Sequence, residues 1–489
     1  MAPEEEQLHF VLFPMMAQGH MIPMMDIAKV LVQRNVFVTV VTTPNNAARF
    51  TSISDRYIES GFQMRLVQLQ FPCKEAGVPD GCDNLDMIPS LGMAASFFSA
   101  TNFLQQPAEK LFQELTPPPS CIISDMCLPY TSHIARKFNV PRITFVGVSC
   151  FYLFNLSNLR MCNAMESITS ESEYFILPGI PDKIEMTKAQ IGLPINESLM
   201  SVTEEIFAAE KEAYGMIMNS FEELEPAYAA AYKKMRNNKV WCFGPLSSTN
   251  KDHLDKAQRG KKATIDECHL KSWLDFQKPG TVIFACFGSI CNLTQPQLIE
   301  LALALEASER PFIWVIREGS QLVALEKWIK KDGFEERTSG RGLIIRGWAP
   351  QLLILSHPAI GGFLTHCGWN SILEAICAGV PMLTWPLFAD QFLNESLVVE
   401  ILKVGVKVGV ESPVTWGKEE EIGVLVKKKD VERAIVMLMD ETSEGEERRK
   451  RVRELAEMAR GAVEKGGSSH SNVTLLIQDI KQKIKQNTS

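Results

Sequence analysis

Residues Trp348 to Gln391 read WAPQLLILSHPAIGGFLTHCGWNSILEAICAGVPMLTWPLFADQ. A buried strand ending at Phe363-Leu364 passes through Thr365-His366-Cys367-Gly368 into a stretch of helical character, Trp369 to Ala378. Gly379 is placed to stop that helix as its C′ cap, and a second short apolar strand, Pro381–Trp385, follows at once. Strand, helix and strand in such quick succession make the repeating unit of a parallel α/β sheet, whose ligands bind beyond the carboxyl ends of the strands. The first N–H groups of the Trp369–Ala378 helix have no intrahelical partners. Together with the helix dipole they form a ready site for a phosphate.

The side chains around that helix start sort by chemistry. His366 can donate to a phosphate oxygen, and Asn370 and Ser371 add neutral donors. Glu374, one turn further on, is an acceptor for two ribose hydroxyls. Trp348 offers a flat face to a base and Gln351 a mixed donor and acceptor, while Asp390 and Gln391 can bond vicinal sugar hydroxyls. Singly, each residue has an ordinary structural explanation. Their joint spacing points to a sugar nucleotide.

Working outward, the first half of the chain repeats the alternation. A strand Leu8–Phe13, a loop Pro14–Met21, a helix from about Ile22 to Gln33 and a strand Val36–Thr42 are followed later by strands Cys121–Ser124 and Ile143–Val146. Met161, Met165, Met186 and Met200 mark a less periodic region that suits an adaptable apolar pocket or plain core filling. Residues 247–264 have linker composition. A second series then opens with a strand Thr281–Phe287 and a helix announced by a capping box, Thr294 with Gln297, whose apolar face is Leu298, Leu301, Ala302 and Leu305. Strands Phe312–Ile316 and Leu343–Arg346 lead back to the opening stretch. The predicted fold class is α/β, with two Rossmann-like domains.

His20 lies just after the first strand and Asp125 just after Cys121–Ser124, so both land on the same edge of a parallel sheet. An imidazole backed by a carboxylate is a suitable general base for deprotonating a hydroxyl.

The Trp348–Gln391 segment resembles the signature box of plant family 1 UDP-dependent glycosyltransferases. The resemblance implies that Trp348 stacks on uracil, with Ala349 and Gln351 also reading the nucleoside. It implies that Glu374 binds the ribose, that His366, Asn370 and Ser371 bind the diphosphate, and that Trp369, Asp390 and Gln391 contact the sugar. The family's terminal Gln favours glucose, so UDP-glucose is the expected donor. His20 and Asp125 match the family's catalytic pair, with Ser289 in the Gly288-Ser289 turn helping to stabilise the departing diphosphate. The implied fold is GT-B, two Rossmann-like domains facing across a cleft. An acceptor-binding domain is expected at 1–246, a linker at 247–264, a UDP-sugar domain at 265–470, and a terminal helix at 471–489 crossing back. LHFVLFPMMAQGHMIPMMDIAKVL, WPLFADQFLNE and the inserted segment Ser412–Leu425 resemble the group acting on triterpenoids, steroids and flavonoids. A triterpenoid or steroid acceptor is the first expectation and a flavonoid the second, received among apolar residues including Met87, Met126 and Phe388.

Composition removes several other classes. A net charge of −8 argues against nucleic acid or an anionic membrane as partner. The acidic start MAPEEEQLHF reads as no signal peptide, and the most apolar candidate span, Leu298–Ile316, is interrupted by charges and Pro311. Twelve cysteines without CxxC spacing read as reduced thiols of a cytoplasmic protein, expected to be monomeric, with the sequons at Asn155 and Asn196 unmodified. The charge runs Lys427–Lys429 and Arg448–Arg453 read as solvated helix faces. No Asp-x-Asp occurs, so neither a metal nor any other cofactor is expected. PMMAQGHMIP after the first strand lacks the GxGxxG spacing of a dehydrogenase. The alternative left open is a non-catalytic binding protein for small molecules on the same fold.

Overall fold

The computed structural model describes residues 7–162, 165, 168–191 and 197–488, so the acidic first six residues and Asn196 lie outside the described residues. In chain order the strands are β1 (His9–Phe13), β2 (Phe37–Thr42), β3 (Met64–Gln68), β4 (Cys121–Asp125), β5 (Arg142–Val146), β6 (Tyr174–Ile176), β7 (Glu185–Thr187), β8 (Gly215–Met218), β9 (Val240–Cys242), β10 (Val282–Cys286), β11 (Phe312–Ile316), β12 (Gly342–Arg346), β13 (Ile360–Thr365), β14 (Met382–Thr384) and β15 (Gly405–Lys407). The chain divides into two compact units. One comprises Met1–Gly147, Pro194–Lys251 and Gly461–Ser489; the other comprises Val148–Leu193 and Asp252–Arg460.

The first unit is built on a parallel sheet in the order β3-β2-β1-β4-β5-β8-β9. Its strands β1, β4 and β5 are buried along their whole length, including the polar members His9, Ser124, Asp125, Arg142 and Thr144. The order reverses between β1 and β4, which is where such sheets open a crevice. The last helix, Ser468–Thr488, belongs to this unit: Val473, Leu476 and Ile480 enter its core, and Asp479 pairs with Lys239 at 2.6 Å.

The second unit carries the parallel sheet β12-β11-β10-β13-β14-β15 and the small antiparallel hairpin β6-β7. Phe284 and Phe363 stack across β10 and β13 with ring centroids 5.1 Å apart. The Trp369–Ala378 helix ends where Gly379 takes φ 68°, the left-handed conformation a C′ glycine adopts without steric cost.

Several expectations change. The predicted boundary at 246 gives way to a discontinuous division, since Val148–Leu193 joins the second unit. Ser149 donates to Asn394 Oδ1 at 3.2 Å, and Gln190 donates to the carbonyl of Glu411 at 2.8 Å. Polar contacts of this kind leave no trace in hydrophobic periodicity. The 247–264 stretch is structured, with a 3-10 turn at Leu246–Thr249 and a helix at His253–Ala257 capped by Asp252. The capping box is half formed. Thr294 Oγ1 accepts from the N–H of Gln297, but the Gln297 side chain turns away to the backbone of Leu425 and Val426. Among the methionines, Met186 is buried whereas Met161 and Met200 are exposed. Arg448 is likewise buried, donating to the carbonyl of Met437 at 3.0 Å. Asn155 is fully buried and bonds the carbonyl of Phe151. All twelve cysteines are free. Among the described residues no helix is long and apolar enough to cross a membrane.

Candidate active site

In the first unit β1 and β4 run side by side, with Phe13 opposite Ser124. The chain leaving β1 turns at once into the Gln18–Val32 helix, which places His20 in the first turn. Asp125 is the last residue of β4 and is completely buried. His20 Nδ1 donates to Asp125 Oδ2 at 2.8 Å, and the N–H of Cys127 donates to Asp125 Oδ1 at 2.9 Å. The carboxylate is thus held at both oxygens. With Nδ1 engaged, Nε2 is the ring nitrogen that can take a proton, and the His20 side chain is 34% exposed against 0% for Asp125. Arg142 supplies nearby positive charge. Burial lowers its guanidinium to about 10, Asp125 acts against that, and three partners (Thr131, Thr144 and the carbonyl of Ala209) hold it.

Among the described residues one cluster places potential metal-ligand atoms within 4.8 Å of one another: His20, Asp125 and Cys127. Burial pushes the Cys127 thiol well above its ordinary range, with Asp125 adding to the effect.

In the second unit the loop after β13 carries His366. Its ring lies against two glycines: a Cβ on Gly288, at φ 74°, would sit 2.6 Å from His366 Cε1, and one on Gly368 would collide with Nε2. Desolvation depresses His366 to about 4, so it is a neutral donor at physiological pH, and its Nδ1 is buried without a protein partner. Gly368 caps the Trp369–Ala378 helix with no side-chain hydrogen bond, which leaves the N–H groups at the start of that helix uncapped by its side chain. Trp369 is buried and Asn370 half-buried at that helix start. Gln351 Nε2 donates to Ser371 Oγ at 3.1 Å and to Glu374 Oε2 at 2.9 Å, so three of the predicted residues form one network. Trp348 is half-buried, and Ala349 is buried beside it. Ser289 is half-buried in the turn after β10.

Asp390 opens the Gln391–Ser396 helix and accepts from Asn394 at 2.7 Å. The Oε1 of Gln391 accepts from the N–H groups of Leu387 and Phe388, so its carbonyl end shapes its own loop. Two non-glycine residues here have positive φ, Cys367 at 65° and Ala389 at 55°. Backbone strain of this kind concentrates where a site must hold an uncommon geometry.

The family description UDP-glucoronosyl and UDP-glucosyl transferase matches residues 260–440. The chain is 53% identical over 483 residues to UDP-glycosyltransferase 73C6 of Arabidopsis thaliana, covering 98% of each chain. It is 52% identical over 483 residues to UDP-glycosyltransferase 73C11 of Barbarea vulgaris, again covering 98% of each. The chain belongs to the plant family 1 UDP-glycosyltransferases. Among solved structures it is similar to Glycyrrhiza uralensis UGT73P12 in complex with glycyrrhetinic acid 3-O-monoglucuronide. The TM-score is 0.88 at 35% identity, with 99% of this chain and 97% of that one covered. Arabidopsis thaliana UGT89C1 in complex with UDP-L-rhamnose matches with TM-score 0.75 at 28% identity, with 97% and 100% covered. The fold class is therefore GT-B, and the chain is a UDP-sugar glycosyltransferase acting on small molecules.

In this glycosyltransferase the acceptor candidates fall in both units. Met87 and Met126 are half-buried in the first, where the N–H of Met126 bonds the carbonyl of Phe145 at 3.0 Å. Phe388 is in the second and packs edge-on against Trp416 of the inserted segment, centroids 5.4 Å apart. Sequence reading missed two residues of the glycosyltransferase that contact the candidate site residues. Asn394 is fully buried and donates to the carbonyl of Cys367 as well as to Asp390, fastening the His366 loop to the Asp390 loop. Arg259 pairs with Glu374 of the Trp348–Gln391 segment. The motif WPLFADQFLNE contains Asn394, but only the tertiary contact reveals its task.

Proposed function

We propose that this glycosyltransferase moves glucose from UDP-glucose to a hydroxyl or carboxyl of a lipophilic plant small molecule, with inversion at the anomeric carbon and without a metal. The observation that carries the reading is the His20–Asp125 hydrogen bond at the carboxyl edge of β1 and β4. His20 Nε2 takes the proton from the acceptor as its oxygen attacks the anomeric carbon from the face opposite UDP, and Asp125 stabilises the imidazolium. Departing diphosphate charge is met by neutral His366, Ser289, Asn370, Ser371 and the N–H groups opening the Trp369–Ala378 helix. Trp348, Ala349 and Gln351 take the uridine, Glu374 the ribose, and Trp369, Asp390 and Gln391 the sugar.

Glucose is favoured by Gln391 and by the absence of a basic residue beside Asp390 in sequence. A triterpenoid or steroid acceptor is the first choice, supported by UGT73P12, which is solved with glycyrrhetinic acid 3-O-monoglucuronide. A flavonoid is second, supported by UGT89C1, which is solved with quercetin. Met87, Met126 and Phe388 would contact the acceptor. The protein works as a cytoplasmic monomer. Purified protein given UDP-glucose and a panel of triterpenoids, steroids, flavonoids and simple phenols, read by mass spectrometry, should yield mono-glucosides, most of all with the polycyclic aglycones. Equal use of UDP-glucuronate would contradict the donor reading, and absence of any glucoside would contradict the whole.

A further inference from the structure

The stretch read from composition as a linker is fastened onto the donor half of the molecule. The His253–Ala257 helix packs against the Gln351–Leu355 helix. At the far end, Thr264 donates through its N–H at 3.0 Å and its Oγ1 at 3.2 Å to the carbonyl of Trp348. Gly347 permits that approach. Its φ is 112°, and a Cβ there would lie 2.6 Å from Thr264 Cγ2. Between these anchors Arg259 Nη1 pairs with Glu374 Oε1, both side chains being about nine-tenths buried.

We propose that Arg259 is a positioning residue of the donor site, holding Glu374 in the orientation that receives the two vicinal hydroxyls of a ribose. The proposal rests on the reading of Glu374 as the ribose acceptor. A carboxylate offers about four lone-pair sites, two on each oxygen. Arg259 takes one on Oε1 and Gln351 takes one on Oε2, leaving one on each oxygen, which is the demand of a cis-diol. A buried carboxylate also needs a counter-charge, and removing one member of such a pair leaves the other uncompensated. Without Arg259 the Glu374 side chain loses both its counter-charge and one of the two bonds that fix its plane.

The test is calorimetric binding of UDP and of 2′-deoxy-UDP to wild type, R259A and R259K. R259A should weaken UDP roughly tenfold or more, the size expected when a hydrogen bond involving a charged group is lost. It should weaken 2′-deoxy-UDP much less, because that ligand never used both acceptors. R259K should recover part of the UDP affinity, and in turnover the loss should appear in KM for the UDP-sugar and not in kcat. Unchanged or tighter UDP binding by R259A overturns the proposal, and so does an equal loss for both nucleotides. Should R259A fail to fold, the same UDP to 2′-deoxy-UDP ratio is read in R259K, where it must fall below that of wild type. A wild-type protein that binds no UDP would overturn the donor-site reading itself, a different result from any of these.

Discussion

His20 and Asp125 lie 105 positions apart and meet at one hydrogen bond because two adjacent parallel strands end at the same edge. What Asp125 contributes is orientation and charge, since both its oxygens are occupied in the resting geometry. Asp125→Asn keeps the shape and removes the charge that favours an imidazolium. Turnover should fall by about 100-fold or more with little change in thermal stability, measured by initial rates beside a melting curve. His366 is set differently. Its ring needs a glycine at 288 for room, so Gly288→Ala should displace His366 and raise KM for the UDP-sugar severalfold. Unaltered KM in that variant would show that the close approach has no bearing on donor binding.

At the scale of elements, the helix bearing His20 is anchored by polar groups. Lys29 and Asp26 pair at 2.7 Å, both almost fully buried, and Asn250 bonds to each of them. Lys29→Ala removes the counter-charge of the buried Asp26 carboxylate, which should cost ~3–5 kcal/mol in the unfolding of the first unit, measured by urea titration. Elements of this sort divide into those legible in sequence and those not. Phe312–Ile316 and Trp369–Ala378 were readable to the residue, because a continuous apolar run and a glycine C′ cap leave little choice. The meeting of His20 with Asp125 was legible because strand ends and helix starts fix where side chains emerge. The fastening of 252–264 was not, since it depends on Arg259, Thr264 and a positive-φ Gly347 and on no hydrophobic period. The place of Asn394 was not legible for a related reason: its partners Cys367 and Ser149 lie 27 and 245 positions away.

For the whole molecule, acid response should be governed by two buried groups of opposite sign. His366 is lowered from 6.5 to about 4 by desolvation, so the unfolded chain binds the extra proton between those values and stability falls as pH drops through that window. Glu395, also desolvated, is raised from 4.5 to about 7, so its effect is the reverse, stability falling as pH rises from 4.5 to 7. The two largely offset in wild type. His366→Gln should leave a protein relatively more stable at pH 5, and Glu395→Gln one relatively more stable at pH 7. Each difference should be on the order of 1–3 kcal/mol, read from unfolding midpoints at both pH values. The same neutral donor set leads to a second molecule-wide expectation, that EDTA leaves turnover within about twofold. The most direct test of the account is His20→Ala, assayed with UDP-glucose and the best acceptor while UDP affinity is measured alongside. The prediction is transfer reduced ~100-fold or more with UDP binding within about twofold of wild type. Near-normal turnover in that variant would contradict it.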